Sequence, residues 1–199
     1  MQKPGIAANP DKYEKYVASI KYQNEYLKKH IQTLVKTVVT ESYHLTLDKS
    51  TVHPNELIKR AIVQLEPIVA QKNGKIIFDP EDADDSIFAD SDNLYLAIFN
   101  VINNAVKYSE VPKILITTGQ QNLKYFISVK DNGIGIAPGE QQKIFKKFYR
   151  AQSGNVHTAK GLGLGLYFVK KIIELHHGQI EVNSVEAIGT EFKIILPIN

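Results

Sequence analysis

Three short stretches carry residue types that could handle a polar, charged ligand. The first is Asp92 to Ser109, DNLYLAIFNVINNAVKYS. There Asn100, Asn103, Asn104 and Lys107 fall on one arc at helical spacing, with Tyr108 at its edge. Asn suits a helix interior poorly, because its amide competes for the backbone. A face left to water would use Glu, Lys or Gln, so three Asn within five residues suggest an arc aimed at a polar ligand. A solvated face of unusual composition is the alternative, and this segment alone does not choose. The second stretch, Asp131-Asn132-Gly133-Ile134-Gly135-Ile136, follows a predicted strand. Its two glycines allow a tight turn and close approach of a flat ligand, and Asp131 could accept a hydrogen bond from an exocyclic amine. Taken by itself, the stretch reads first as an ordinary Asp-Asn-Gly turn. The third is Lys160-Gly161-Leu162-Gly163-Leu164-Gly165-Leu166, opening a helix. Alternating glycines ahead of a helix leave backbone N–H groups free for phosphate oxygens, where the helix dipole favours negative charge. Neither a Walker A motif nor a dinucleotide fingerprint is present, and close packing is the other use of such a loop.

The surrounding pattern supplies elements to hold these stretches. On the opposite arc of the Asn-rich segment, Leu94, Ile98, Val101, Ile102 and Ala105, widened by Tyr95, Phe99 and Val106, form a core stripe started by Ser91 or Asp92. A helix opened by His53-Pro54 runs to about Gln71, with a kink expected at Pro67. Short strands are predicted at Lys75–Asp79 and Ser86–Ala89, with another near Leu45–Leu47. A hairpin of Lys113–Thr118 and Leu123–Lys130 is expected to turn around Gly119, and a final hairpin of Gln179–Val185 and Thr190–Leu196 near Ile188-Gly189. Between them lie a short helix ending near Phe148, a polar segment Ala151–Lys160 and a helix from Gly163 to His177. The order predicts an α+β fold, a mixed and largely antiparallel sheet with helices on one face.

Ahead of this block, Asn9-Pro10 opens a long helix to about Glu41. Its seam of Tyr13, Val17, Ile20, Asn24, Leu27, Ile31, Leu34 and Val38 keeps heptad spacing. Such a seam packs lengthwise on partner helices, and a lone seam Asn fixes register or oligomer state. The expected division is therefore 1–41 for this helix and 42–199 for the α+β domain.

Composition narrows the field. The chain has no cysteine, which excludes disulfides, thiolate catalysis and Cys-based metal sites. A net charge of +3, with no basic run interleaved by aromatics, argues against nucleic acid. No apolar run approaches the length of a membrane span and no signal peptide opens the chain, so these residues are expected to be cytoplasmic without membrane contact.

In this order and spacing, NVINNAVKYS, DNGIGI, KIFKKFYR and GLGLGL resemble the N, G1, F and G2 boxes of the catalytic ATP-binding domain of sensor histidine kinases. That domain is shared with DNA gyrase, a heat-shock chaperone and the mismatch-repair ATPases. The resemblance spans about Leu45 to Pro197, and the heptad helix resembles the second helix of the dimerisation and phosphotransfer bundle. It implies a two-layer Bergerat-type ATP-binding fold, with ATP and Mg²⁺ as ligands. Asn104 would be the Mg²⁺ ligand, and Asn100, Lys107 and Tyr108 would contact phosphates or metal-bound water. Asp131 would bind the adenine amine, with Gly133 and Gly135 closing the loop; Ile136 and Ile102 would line the ring pocket, though core packing explains both equally well. Phe145 and Phe148 would anchor the base of an ATP lid, Ala151–Lys160, and Arg150 would reach the γ-phosphate. The segment Gly161, Leu162, Gly163, Leu164 and Gly165 would wrap the phosphates.

Asn100 stands where the hydrolysing relatives carry a Glu. An amide cannot serve as general base near neutral pH, so the resemblance implies transfer to a protein side chain rather than to water. Leu162 lacks the hydroxyl that many relatives carry there, and His176-His177-Gly178 replaces a common His-Gly-Gly. None of the six histidines has the acidic neighbour and following Pro of the family's phosphoacceptor. The expectation is a protein histidine kinase fragment that transfers the γ-phosphate to a histidine outside this chain, for relay to a response regulator. A homodimer through the heptad helix and a parent anchored in the inner membrane are also implied. A serine kinase or ATPase on the same scaffold, and a non-enzymatic ATP-sensing module, are the competing readings.

Overall fold

A computed structural model describes residues 47–81, 86–151 and 162–198. All of them belong to one compact unit, Leu47–Asn199. The heptad helix, the expected boundary at 41/42, Gly161 and nearly all of the polar segment Ala151–Lys160 lie outside the described residues.

Strands β1 (Ser50–Val52) and β3 (Ile87–Ala89) form a two-stranded antiparallel ribbon. The main sheet has the order β2-β4-β5-β7-β6, from β2 (Lys75–Pro80), β4 (Lys113–Gln121), β5 (Lys124–Lys130), β6 (Gln179–Val185) and β7 (Gly189–Pro197). Only β2 and β4 run parallel; the other neighbours are antiparallel, as expected for a mixed sheet. Alternation sets its buried face: Ile114 and Ile116 on β4, Tyr125, Ile127 and Val129 on β5, and Phe192, Ile194 and Leu196 on β7. On the opposite face Lys113, Leu115, Lys124 and Glu181 meet solvent.

Helices α1 (Pro54–Gln71), α2 (Ser91–Lys107) and α3 (Gly165–Leu175) make the second layer, with α2 packed between the other two. That central place explains why α2 is buried well beyond its expected stripe, Ala97 and Asn100 included. Asp90 starts α2, its carboxylate accepting from Asn93 N–H at 2.9 Å. Arg60 of α1 lies over the Tyr95 ring at 4.0 Å, and the Tyr95 hydroxyl donates to Gln64. The first helix continues through Pro67 to Gln71. Pro67 has no N–H for the carbonyl four residues back, and that residue, Val63, is exposed.

Several expected boundaries differ. The β4–β5 hairpin does not turn at Gly119. Both strands run on, Gly119 pairs with Phe126, and the turn is Asn122-Leu123, both at positive φ. The glycine belongs inside the strand because a methyl there would lie 2.9 Å from the Phe126 ring. The first strand is Ser50–Val52, and Leu47 lies outside any strand. The short helix is a single 3-10 turn, Lys143–Phe145, and α3 is two residues shorter at each end than expected.

Candidate nucleotide site

The loop after β5 is built by backbone contacts. Asp131 N–H donates to the Thr190 carbonyl at 2.8 Å, continuing the β5–β7 ladder. Its Oδ1 accepts from Gly133 N–H at 2.7 Å and Thr190 N–H at 3.1 Å, which folds the loop back on itself. Burial pushes the Asp131 carboxyl above the ordinary aspartate range, against those two hydrogen bonds, which pull it down. Gly135, at φ +67°, lies so close to β6 that a methyl would sit 2.1 Å from the Val185 carbonyl oxygen. Gly133 is equally confined, 2.7 Å from the Tyr108 carbonyl by the same measure. Ile136 N–H donates to Ser184 Oγ, while Gln141 bonds the carbonyls of Ile136 and Ser184. At the far side Asn132 ties the loop to β4 through Lys113 N–H and the Val111 carbonyl.

The Asn-rich helix joins this loop at its carboxyl end, where the Tyr108 carbonyl accepts from Ile134 N–H at 3.2 Å. Asn103, Asn104 and Lys107 are half-buried there, and Tyr108 is 37% exposed. The side-chain amide of Asn104 has no hydrogen-bond partner among the described residues, and Lys107 Nζ sits 5.0 Å from the Tyr108 ring. Asn100 behaves differently from its arc neighbours. It is buried, donates from Nδ2 to the Leu96 carbonyl at 2.8 Å, and faces the first residue of α3, where a methyl on Gly165 would lie 3.0 Å from Asn100 Oδ1. The structure therefore brings Asn100 and Gly165 together, and Tyr108 together with Gly133 and Ile134.

The remaining residues divide by role. Gly163, at φ +69°, admits the backbone of Phe148 and Tyr149 within 2.7 Å of where its methyl would be. Leu164 is buried and Leu162 exposed. Phe145 packs edge-on to Phe192 at 6.3 Å, with Lys170 near its ring. Phe148 is exposed at φ +63°, and its backbone meets Gly163. Tyr149 donates its hydroxyl to Glu140, which also pairs with Lys143. Arg150 is exposed, and Ile102 is fully buried in the core.

Gly189 and Thr190 are site residues that sequence reasoning passed over. A methyl on Gly189 would meet the Asp131 carbonyl at 2.1 Å, and Thr190 bonds Asp131 through its backbone and Ser184 through its hydroxyl. The Gly-Thr pair was legible only as a hairpin turn. Among the described residues no group of three or more His, Asp or Glu is placed to hold a metal ion.

Comparison with known proteins bears on the family and the fold. Residues 89–199 match the family model described as histidine kinase-, DNA gyrase B- and HSP90-like ATPase, more than half of the chain. Sensor protein RprX of Bacteroides fragilis is 35% identical over the whole chain, and sensor protein kinase WalK of Staphylococcus epidermidis 44% identical over 56% of it. The chain spans 39% of the length of RprX, and its match covers 19% of WalK. The catalytic domain of histidine kinase ThkA superposes with a TM-score of 0.67 at 28% identity, covering 76% of this chain and 99% of that domain. ThkA has also been solved in complex with response regulator protein TrrA, with a TM-score of 0.68 at 26% identity over 96% of this chain and 53% of that one. The chain belongs to the histidine kinase-, DNA gyrase B- and HSP90-like ATPase family. Its fold is that of a sensor histidine kinase catalytic domain.

Proposed function

We propose that this chain binds Mg-ATP and transfers the γ-phosphate to a histidine on a dimerisation helix, for relay to a response regulator aspartate. The observation that carries the reading is the state of Asp131. Both hydrogen bonds to its carboxylate fall on Oδ1, inside a partly buried loop. Among the described residues no buried side-chain oxygen lacks a partner, so Oδ2 is reachable from outside. An acceptor held that way suits the exocyclic amine of adenine. Gly133 and Gly135 let the loop pack directly on the Tyr108 and Val185 backbone, and Ile136 supplies an apolar wall.

Asn104, Lys107, Tyr108 and Arg150 would meet the phosphates, with Gly161, Leu162, Gly163, Leu164 and Gly165 contributing N–H groups. Asn104 offers an amide oxygen for Mg²⁺, a hard cation that keeps several waters and needs few protein ligands. When bound, Mg²⁺ would neutralise charge between the outer phosphates. Lys107 acts as a point charge, and Arg150 would neutralise the transferred group. Asn100 favours transfer over hydrolysis by its chemistry: an amide cannot act as a general base for water, and here its Nδ2 donates to the Leu96 carbonyl while its Oδ1 faces Gly165.

The same reading assigns 1–41 to the dimerisation bundle and 42–199 to catalysis, with a homodimer formed through the heptad seam. ThkA, as solved with a response regulator, is the analogy for that partner. Among the described residues no helix is long and apolar enough to cross a membrane, and a membrane anchor in the parent protein is part of the proposal. The test is to add a dimerisation helix carrying the acceptor histidine, together with γ-labelled ATP. Acid-labile, base-stable label on the histidine is expected; nucleotide binding without any labelled histidine would overturn the kinase assignment.

A further inference from the structure

We infer that Lys72, outside all four sequence boxes, is a positioning residue that makes the carboxyl end of α2 fit to hold a triphosphate; the inference rests on the ATP reading above. Lys72 follows the last turn of α1, and its Nζ reaches across to α2. It donates to the carbonyls of Ser109 at 2.7 Å and Val106 at 2.9 Å, with a longer contact to Lys107 at 3.4 Å. An ammonium has three donors and no acceptor, so these three carbonyls use its capacity.

The placement answers an electrostatic problem. Asn104, Lys107 and Tyr108, the residues assigned to the phosphates, all lie in or just after the last turn of α2. A helix carboxyl end carries about half a negative charge on its unpaired carbonyls, which repels a polyanion. Lys72 puts a full positive charge on those carbonyls. The clamp also brackets a mechanical junction. Tyr108, between Lys107 and Ser109, gives its carbonyl to Ile134 N–H of the base loop. Lys72 therefore grips α2 on both sides of its bond to the loop that holds Asp131.

Its own backbone is fixed. Asn73 takes a left-handed turn at φ +53°, and a methyl on Gly74 would lie 2.7 Å from Pro112. Lys75 N–H then donates to the Pro112 carbonyl at 2.7 Å, locking the α1–β2 turn against the α2–β4 connection.

The experiment is calorimetry on the full chain with Mg²⁺ and three probes: a non-hydrolysable ATP analogue, ADP and adenosine. Lys72→Met keeps the stem without the ammonium, and Lys72→Arg restores charge and donors. The expected loss in Lys72→Met is graded: about tenfold for the triphosphate, smaller for ADP and absent for adenosine, with most of it recovered in Lys72→Arg. Lys72→Gln, neutral but still a donor, should show the same grading if Lys72→Met folds poorly. An equal loss for all three probes would mean that Lys72 only supports the fold, and wild-type affinities in Lys72→Met and Lys72→Gln would also overturn the inference. Wild-type chain that fails to bind any of the probes would overturn the ATP reading, and this inference with it.

Discussion

The two halves of the proposed nucleotide site hold their side chains in different ways. At the base end every glycine is pressed against backbone: Gly133 on Tyr108, Gly135 on Val185 and Gly189 on Asp131. Hydrogen bonds donated by Thr190 N–H and the Gln141 amide, and one accepted by Ser184 Oγ, close the loop without any ligand. At the phosphate end Gly163 is likewise pressed on the Phe148 and Tyr149 backbone, but the side chains proposed to meet phosphate are half-buried or exposed. Asn104 has no partner among the described residues, and Arg150, Leu162 and Phe148 are exposed. The contrast teaches that, on the proposed reading, base recognition would be pre-organised, while the grip on the phosphates would be completed by the ligand itself. Binding energy at the first end is spent little on ordering; at the second it must cover the ordering of long side chains.

Breaking the rigid half should do the most damage. Gly135→Ala forces a side chain into a left-handed position against the Val185 carbonyl. We expect about 2–4 kcal/mol of lost stability, read by denaturant unfolding, together with loss of nucleotide binding. Tolerance of that alanine would mean the loop is not rigid. Asn104→Ala, in the open half, should behave differently: its melting temperature should hold while the Mg-dependent part of ATP affinity disappears. Affinity that still rises with Mg²⁺ would remove Asn104 as the ligand.

Smaller effects are expected at the far end of α3, away from both halves. Buried His176 accepts the Asp90 N–H at Nε2, 2.9 Å, and its Nδ1 donates to the Ile172 carbonyl at 2.8 Å, so the ring is neutral. Burial holds its pKa below the ordinary 6.5, with Lys49 and His177 acting in the same direction and the Ile172 bond and Asp90 opposing it. The unfolded chain therefore takes up the proton first. Stability is fully present above about pH 6.5 and falls as pH drops towards the depressed value. Urea titrations at pH 7.5 and 5.5 should show the fall, and His176→Gln should flatten it. A wild-type chain equally stable at both would contradict the neutral-ring assignment. Next along, His177 sits at φ +57° in a helix-ending motif, with Gly178 N–H on the Ile173 carbonyl and His177 N–H on Glu174. His177→Gly should stabilise by about 0.5–1 kcal/mol with ATP affinity unchanged.

The sequence was most informative where a local rule decides. Alternation marked the strands of the main sheet, Asp131 and its glycines announced a loop, and the Asn arc stood out as too polar for its place in a helix. What escaped depends on contacts between distant residues. Gly119 looked like a turn because nothing local tells that Phe126 covers it from the next strand. Asn100 looked exposed because only the packing of α3 on α2 buries it. Lys72 had no mark at all, since its partners lie more than thirty residues away. The glycines of the base loop were legible as glycines, but the carbonyls that require them were not.

The most direct measurement is base discrimination at Asp131. Calorimetry with Mg²⁺ should compare non-hydrolysable ATP with its inosine counterpart, in which the exocyclic amine becomes a carbonyl facing the Asp131 carboxylate. The wild-type chain is expected to bind the adenine form and lose most affinity for the inosine form, with Asp131→Asn erasing the preference. Equal affinity for the two bases, or a preference that survives Asp131→Asn, would contradict the account.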